Sequence, residues 1–422
     1  MKKNPQIRLS SVIISLSSAL DLVNWIVVNH HRQVASVASK IANTLGCSDE
    51  DKDAIATAAA LHDIGGICFN EKFSLSFEAE GMSNHSEIGY HLLLKFKPFA
   101  PAAMLVRHHH VPWAGGRGAE RNGRLVQLGS HVLHLADRMA VLINKNEPIL
   151  KQVRSITARI RQEQGKMFMP QVVEAFLDLA DRQYFWLDIV NPASDFGAAG
   201  PSAALSRQLD LNDLLDLSEL FRMIIDFRSP TTATHSKDVA HLSEALAQLI
   251  GFSRHEAQLI HIAGNLHDIG KLAVPVEILE KNGPLDEDEL HTMRSHSFHT
   301  YRILDRIGRI DDICEWASLH HECIDGTGYP FRYGDDQLPL GSRVITVADI
   351  FSAITEDRSY RKAMSYDDAL RVIQHLAREK KIDAMVAALV EKHLPDLRSI
   401  KMQANDQALQ EFHQIRKESQ IA

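Results

Sequence analysis

Ser253 to Gly270 reads SRHEAQLIHIAGNLHDIG, an apolar face at three and four residue spacing that runs directly into a His-Asp pair. Ser253 with Glu256 three residues on forms a capping box, and Gly251 closes the helix before it. The same grammar recurs at Ser48 to Gly65, SDEDKDAIATAAALHDIG, behind Gly46. Both stretches are expected to be helices that end at the His-Asp pair, with the following glycine letting the chain turn. Few β-branched runs and short connections favour an all-α fold.

Working outward, seven ligand-type residues recur in order. In the second half they are His235, His267, Asp268, His296, His320, His321 and Asp349; in the first, His30, His62, Asp63, His85, His108, His109 and Asp137. Thirty-two residues separate the first His from the His-Asp pair in both copies, and twenty-nine separate the paired His from the final Asp. A lone buried His is usually a hydrogen-bonded core residue, and 23 His in the chain make chance pairs unavoidable. Seven types matched in order across two copies point instead to a polynuclear metal site in each half. The spacing assigns His235, His267, Asp268 and Asp349 to one ion and Asp268, His296, His320 and His321 to a second, with Asp268 as the bridge. Imidazole and carboxylate without thiolate suit iron or manganese, and less specifically zinc, nickel or cobalt. Two such ions ~3.5 to 4 Å apart share a bridging hydroxide suited to in-line attack on a phosphodiester.

The chain has 422 residues, 45% of them hydrophobic and 24% charged, as in ordinary soluble domains. A net charge of -8 argues against a nucleic-acid polymer as partner. The serines Ser10, Ser11, Ser15, Ser17 and Ser18 interrupt the apolar start, which is expected to flow into a longer helix rather than act as a signal peptide. No stretch reaches the roughly 20 apolar residues of a membrane span. Four scattered cysteines favour the cytoplasm. A Pro, Gly, Ser and Ala rich stretch divides the chain into a domain at 1–190, a linker at 191–208 and a second domain at 209–422. The polar tail beyond about Asn405 reads as a peripheral helix or frayed end.

With Leu266 to Lys271, the runs His320-His321-Glu322, Asp325-Gly326-Thr327-Gly328-Tyr329-Pro330 and Asp357-Arg358-Ser359-Tyr360-Arg361 resemble an HD-GYP domain over about Leu217 to Leu394. The resemblance implies two tandem HD-type helical bundles packed on each other as a pseudo-dimer within one chain. It further implies a two-metal phosphodiesterase that opens a cyclic dinucleotide, either cyclic di-GMP or 3′3′-cyclic GMP-AMP, to a linear product. Asp268 and Lys271 take the catalytic roles, while Lys271, Tyr329, Arg358 and Arg361 contact substrate. The extra Glu that gives some members a third metal is replaced by Thr231, and Ser359 stands where the family has Pro.

The first half resembles the family in degenerate form. Gly66 stands where Lys271 would be, Trp113-Ala114-Gly115-Gly116 replaces the Asp-Gly-x-Gly-Tyr-Pro run, and nothing near Lys145 to Pro148 matches the arginines. That implies a domain able to hold metal whose phosphate-binding groups are gone, in a structural or regulatory role. Such a tandem is similar to phosphodiesterases selective for 3′3′-cyclic GMP-AMP. Two rival functions draw on the same residues: an HD nucleotidase or deoxynucleotide phosphohydrolase, and a catalytically silent signalling scaffold.

Overall fold

The computed structural model describes residues 7–23, 29–67, 77, 84–191, 202, 204–228, 233–357 and 362–419. Helices dominate these residues, and strands are confined to two-residue pairs such as the hairpin Glu120–Arg121 with Arg124–Leu125. The chain divides into two compact units, one mainly Arg8–Gln208 and the other mainly Leu209–Lys417. The expected linker at 191–208 lies mostly outside the described residues. Among those described, no helix is long and apolar enough to cross a membrane.

In the second unit the helix Arg254–Leu266 forms the centre, packed against Leu211–Asp226, His235–Ile250, Asp311–Ser318 and Leu340–Ile354. Ser253 Oγ accepts from Glu256 N at 3.3 Å and Ser253 N donates to the Glu256 carboxylate at 3.0 Å, so the capping box closes as the sequence predicts. Gly251 ends the preceding helix with φ 102°. The first unit repeats this order with His30–Thr44, Asp49–Leu61, Asn84–Leu93, Ala100–Arg107 and Leu128–Val141. Ser48 caps Asp49–Leu61 by accepting from Asp51 N at 3.1 Å, and Gly46 sits at φ 68°. The stretch opening at Lys166 leads into the helix Pro170–Ala180, with Pro170 at its first turn.

Three expectations change. The N-terminal helix stops at Leu20 and a new one starts at His30 behind Asn29 at φ 65°, so the first helical pattern is two helices rather than one. The tail is the helix of the two readings, Leu394–Ser419, but it is not peripheral, since its Ala404, Ala408, Phe412 and Ile415 are buried at three and four residue spacing. Phe412 meets Phe227 with ring centroids 5.1 Å apart, and Glu411 pairs with Lys237 at 2.7 Å and with the buried Arg222 at 2.5 Å. Polar composition hid this stripe because its apolar members are few and two of them are alanines.

The glycine after each His-Asp pair also acts differently from expectation. Neither Gly65 nor Gly270 has a left-handed φ. A Cβ on Gly270 would lie 1.9 Å from His296 O and 2.5 Å from Thr300 N, and one on Gly65 would lie 2.0 Å from His85 O. The glycine is there so that the helix carrying the third histidine can approach the backbone of the His-Asp turn. Gly270→Ala therefore must push two backbones apart, and is expected to destabilise the second unit by about 2 kcal/mol or more. Chemical denaturation followed by circular dichroism measures this, and an unchanged midpoint would contradict the close-packing argument.

Candidate metal centre

Each candidate ligand of the second unit stands at a helix end or on a helix face turned to one point. His235 opens the helix His235–Ile250, His267 and Asp268 follow Arg254–Leu266, His296 opens His296–Ile307, His320 and His321 follow Asp311–Ser318, and Asp349 lies within Leu340–Ile354. His267 Nε2 is 3.2 Å from Asp268 Oδ2, His296 Nε2 3.4 Å from Asp268 Oδ1, and His235 Nε2 3.1 Å from Asp349 Oδ1. His296, His320 and His321 form one group and His235, His267 and Asp268 another, the ring nitrogens and carboxylate oxygens in each lying within 4.8 Å of one another.

The hydrogen bonds behind the rings test whether metal fits. Nδ1 of His267, His296 and His320 each lies 2.7 Å from the carbonyl oxygen three residues back, on Gly264, Met293 and Ala317. Nδ1–H donates there, which leaves the Nε2 lone pair turned to the centre. His296 Nε2 and His320 Nε2 are only 3.3 Å apart, and His267 Nε2 has no hydrogen-bond partner. Lone pairs aimed at each other and at a carboxylate are repulsive unless cations stand among them. The donor set fits two divalent ions.

Titration follows the same arrangement. Burial drives His296 down to about 3 and His320 well below the ordinary imidazole value, so both are neutral at pH 7. Burial also lowers His267, but the Asp268 charge and hydrogen bond, Asp349 and the Gly264 carbonyl together outweigh it and raise its pKa. Asp268 in turn lies well below the usual carboxylate range because His267 and Lys271 overcome its burial.

Lys271 Nζ sits 2.5 Å from Asp268 Oδ2 in the lining of a cavity of about 830 Å³. Arg228, Lys281, Tyr329, Leu272, Leu279 and Ile354 also line it. Tyr329 rests against His321 with ring centroids 4.9 Å apart, and Arg294 stands 5.5 Å from the Tyr329 ring centre. Burial raises its phenol, which stays a donor at neutral pH. The structure shows what holds this loop: the Glu322 carboxylate accepts from Phe331 N at 2.6 Å and from Arg332 N and Tyr333 N at 3.1 Å. Glu322 was visible in the sequence beside the His pair, but nothing there gave it a role. Asp325 turns away to Lys381 at 2.7 Å. Arg358, Arg361 and Thr231 lie outside the described residues.

The first unit assembles a comparable centre with one shift of register. His85 groups with His109 and His110, and His109 Nδ1 donates to Val106 O at 2.6 Å as His320 does to Ala317. His109 thus matches His320, twenty-eight residues before Asp137. The expected ligand His108 lies instead among Arg107, Arg121 and Arg124, and burial followed by those charges lowers its pKa. Three consecutive histidines offered two registers, and the spacing rule selected the wrong one. His30, His62 and Asp137 form a second group, and His31, which the sequence reading passed over, joins His62 and Asp63 in a third. Nor are cations absent: a cavity of about 970 Å³ is lined by Arg107, Arg117, Arg121, Arg124 and Lys166 together with His110. They come from positions other than those of the second unit.

Comparison with known proteins agrees with this geometry. HD-domain models match residues 219–386 and 27–142. The chain belongs to the HD-domain family, with one copy in each half. It is 28% identical over 393 residues, 90% of either chain, to 3′3′-cGAMP-specific phosphodiesterase 1 of Vibrio cholerae. Against 3′3′-cGAMP-specific phosphodiesterase 3 of the same organism it is 34% identical over 266 residues, 62% of this chain and 56% of that one. A crystal structure of a cyclic GMP-AMP specific phosphodiesterase from V. cholerae superposes with TM-score 0.65 at 25% identity, covering 92% of this chain and 98% of that one.

Because the carboxylates around His267 raise its affinity for a proton and a cation needs its free Nε2, metal uptake is expected to release protons and to strengthen as pH rises. Titration calorimetry in buffers of different ionisation enthalpy checks this. An observed heat independent of the buffer would count against it.

Proposed function

We infer that the second domain is a metal-dependent phosphodiesterase that hydrolyses a cyclic dinucleotide, with 3′3′-cyclic GMP-AMP preferred over cyclic di-GMP. The observation that carries this is the ring of imidazole lone pairs around Asp268, opening into a cavity whose walls are both cationic and apolar. The preference for the mixed dinucleotide rests on likeness to proteins named for that substrate along most of the chain.

His235, His267, Asp268 and Asp349 would hold one divalent ion and Asp268, His296, His320 and His321 the other, with iron or manganese the natural choice for nitrogen and oxygen donors. When bound, such ions supply Lewis acidity that lowers the pKa of water and neutralises charge on the phosphodiester. Asp268 and the histidines orient that centre. The Lys271 ammonium, poised at Asp268, supplies positive charge to a phosphate oxygen as it becomes more anionic. Tyr329 donates from its protonated phenol and, against His321, forms a wall on which a purine stacks. Leu272, Leu279 and Ile354 exclude water from the base. Arg358 and Arg361 are proposed to complete the phosphate contacts. The first domain serves a structural or regulatory role, and free thiols at Cys47, Cys314 and Cys323 fit a cytoplasmic setting.

The test is hydrolysis of both cyclic dinucleotides by protein loaded in parallel with iron or manganese. Cleavage should vanish in His267→Ala/Asp268→Ala and after chelation, persist in His62→Ala/Asp63→Ala, and fall about a hundredfold in kcat for Lys271→Ala. If neither compound is cleaved under either metal while mononucleotides are, the nucleotidase reading replaces this one.

A further inference from the structure

Two adjacent histidines open the helix His30–Thr44, and the second has no counterpart in the other domain. His30 matches His235, whereas His31 falls where the second domain has Ser236. His31 is 2% exposed. Its Nδ1 lies 2.6 Å from Asp21 Oδ1, and Asp21 Oδ2 is held by Asn29 N at 3.1 Å. Its Nε2 makes no hydrogen bond and points to Asp63, 3.7 Å from Oδ2, with the His62 ring centroid 5.2 Å away. A carboxylate behind a buried imidazole fixes Nδ1–H and turns the Nε2 lone pair forward, as for metal-ligating histidines generally. Left without a partner, that buried nitrogen carries an uncompensated desolvation cost.

The matched place in the second domain is built otherwise. Ser236 Oγ donates to Asp226 Oδ1 at 2.6 Å, and Arg222 takes Asp226 Oδ2 at 3.2 Å. The equivalent carboxylate is thus spent on a hydroxyl and a guanidinium, and no imidazole enters the centre from that side.

We propose that His31 is a metal ligand of the first domain, filling a coordination position that the second domain leaves open. Two triads share His62, one with His30 and Asp137 and one with His31 and Asp63, and an ion held by both would have five protein ligands, against the four of His235, His267, Asp268 and Asp349. The inference rests on the reading that the first domain holds metal. A shell closed by protein is the mark of a structural centre, while a catalytic one keeps a position for water or substrate. The first domain is then a metal-retaining, non-turnover unit because of a residue it has gained.

The full chain loaded with manganese, freed of excess metal and exposed to EDTA, should lose its metal in two phases when followed by mass spectrometry and electron paramagnetic resonance. His62→Ala/Asp63→Ala should remove the slow phase. His31→Ser, which installs the second domain's residue, should speed that phase on the order of tenfold or more. Asp21→Asn keeps the imidazole but weakens its tether, and should speed the slow phase as well, which covers a His31→Ser chain that fails to fold by circular dichroism. A slow phase unchanged in folded His31→Ser, or in Asp21→Asn should His31→Ser not fold, but lost in His62→Ala/Asp63→Ala overturns the ligand role of His31. A metal content and exchange indifferent to all three overturns metal in the first domain itself.

Discussion

Imidazole lone pairs converging on a buried carboxylate are the constraint on which the rest depends. His267, His320 and His109 each follow a helix, and their Nδ1–H groups donate to Gly264, Ala317 and Val106, carbonyls of the last turn. Those carbonyls have no amide four residues on within their helix, although Val106 O also accepts from His109 N at 3.4 Å. The chain thus settles two problems with one contact: the helix end is satisfied, and the ring is locked with Nε2 facing inward. His62 does the same with Ala59 O at 3.0 Å. These histidines stand at helix termini because that is where a free carbonyl and a reachable centre coincide.

On this shared frame the two domains differ at a few matched positions. Gly66 stands in place of Lys271, so the ammonium that pairs with the second domain's His-Asp carboxylate has no counterpart at that position. His31 replaces Ser236. Arg138 stands where the second domain has Ile350, and its guanidinium takes Asp137 Oδ2 at 2.6 Å, leaving Oδ1 to face His30 at 3.2 Å. Burial would raise Asp137, yet Arg138 first and then His30 hold it well below the carboxylate range. These changes fix charge and ligands more firmly in place and remove a cation that a phosphate could use. The arginines of the first-domain cavity supply positive charge farther out, which suits binding an anion more than transforming one.

Much of this was legible in the sequence because local rules and tertiary roles agreed there. Ser253, Glu256 and Gly251 signal one helix end and another's start by backbone chemistry alone, and the structure follows them. The His-Asp pairs were readable because they repeat with the same spacing. What failed depended on information that spacing does not hold. His108, His109 and His110 are chemically alike, and only the carbonyl of Val106 decides which ring turns inward. His31 was passed over, since its significance lies in Asp21, ten residues away across a helix break. Gly270 suggested a turn, while its actual requirement comes from His296 and Thr300, about thirty residues on.

The His-Asp helix is also the core of its bundle, so the metal ligands have little freedom to move or to be exchanged without disturbing packing. Gly264 meets Ala240 so closely that a Cβ would lie 2.7 Å from its Cα, and His267 begins three residues later. Discrimination among substrates must therefore come from surfaces that are not tied to that core. The loop pinned by Glu322, which presents Tyr329, is held by three backbone hydrogen bonds and can change its sequence while keeping its anchor. The same separation lets a duplicated domain keep its cluster of imidazoles and carboxylates through a change of cavity lining.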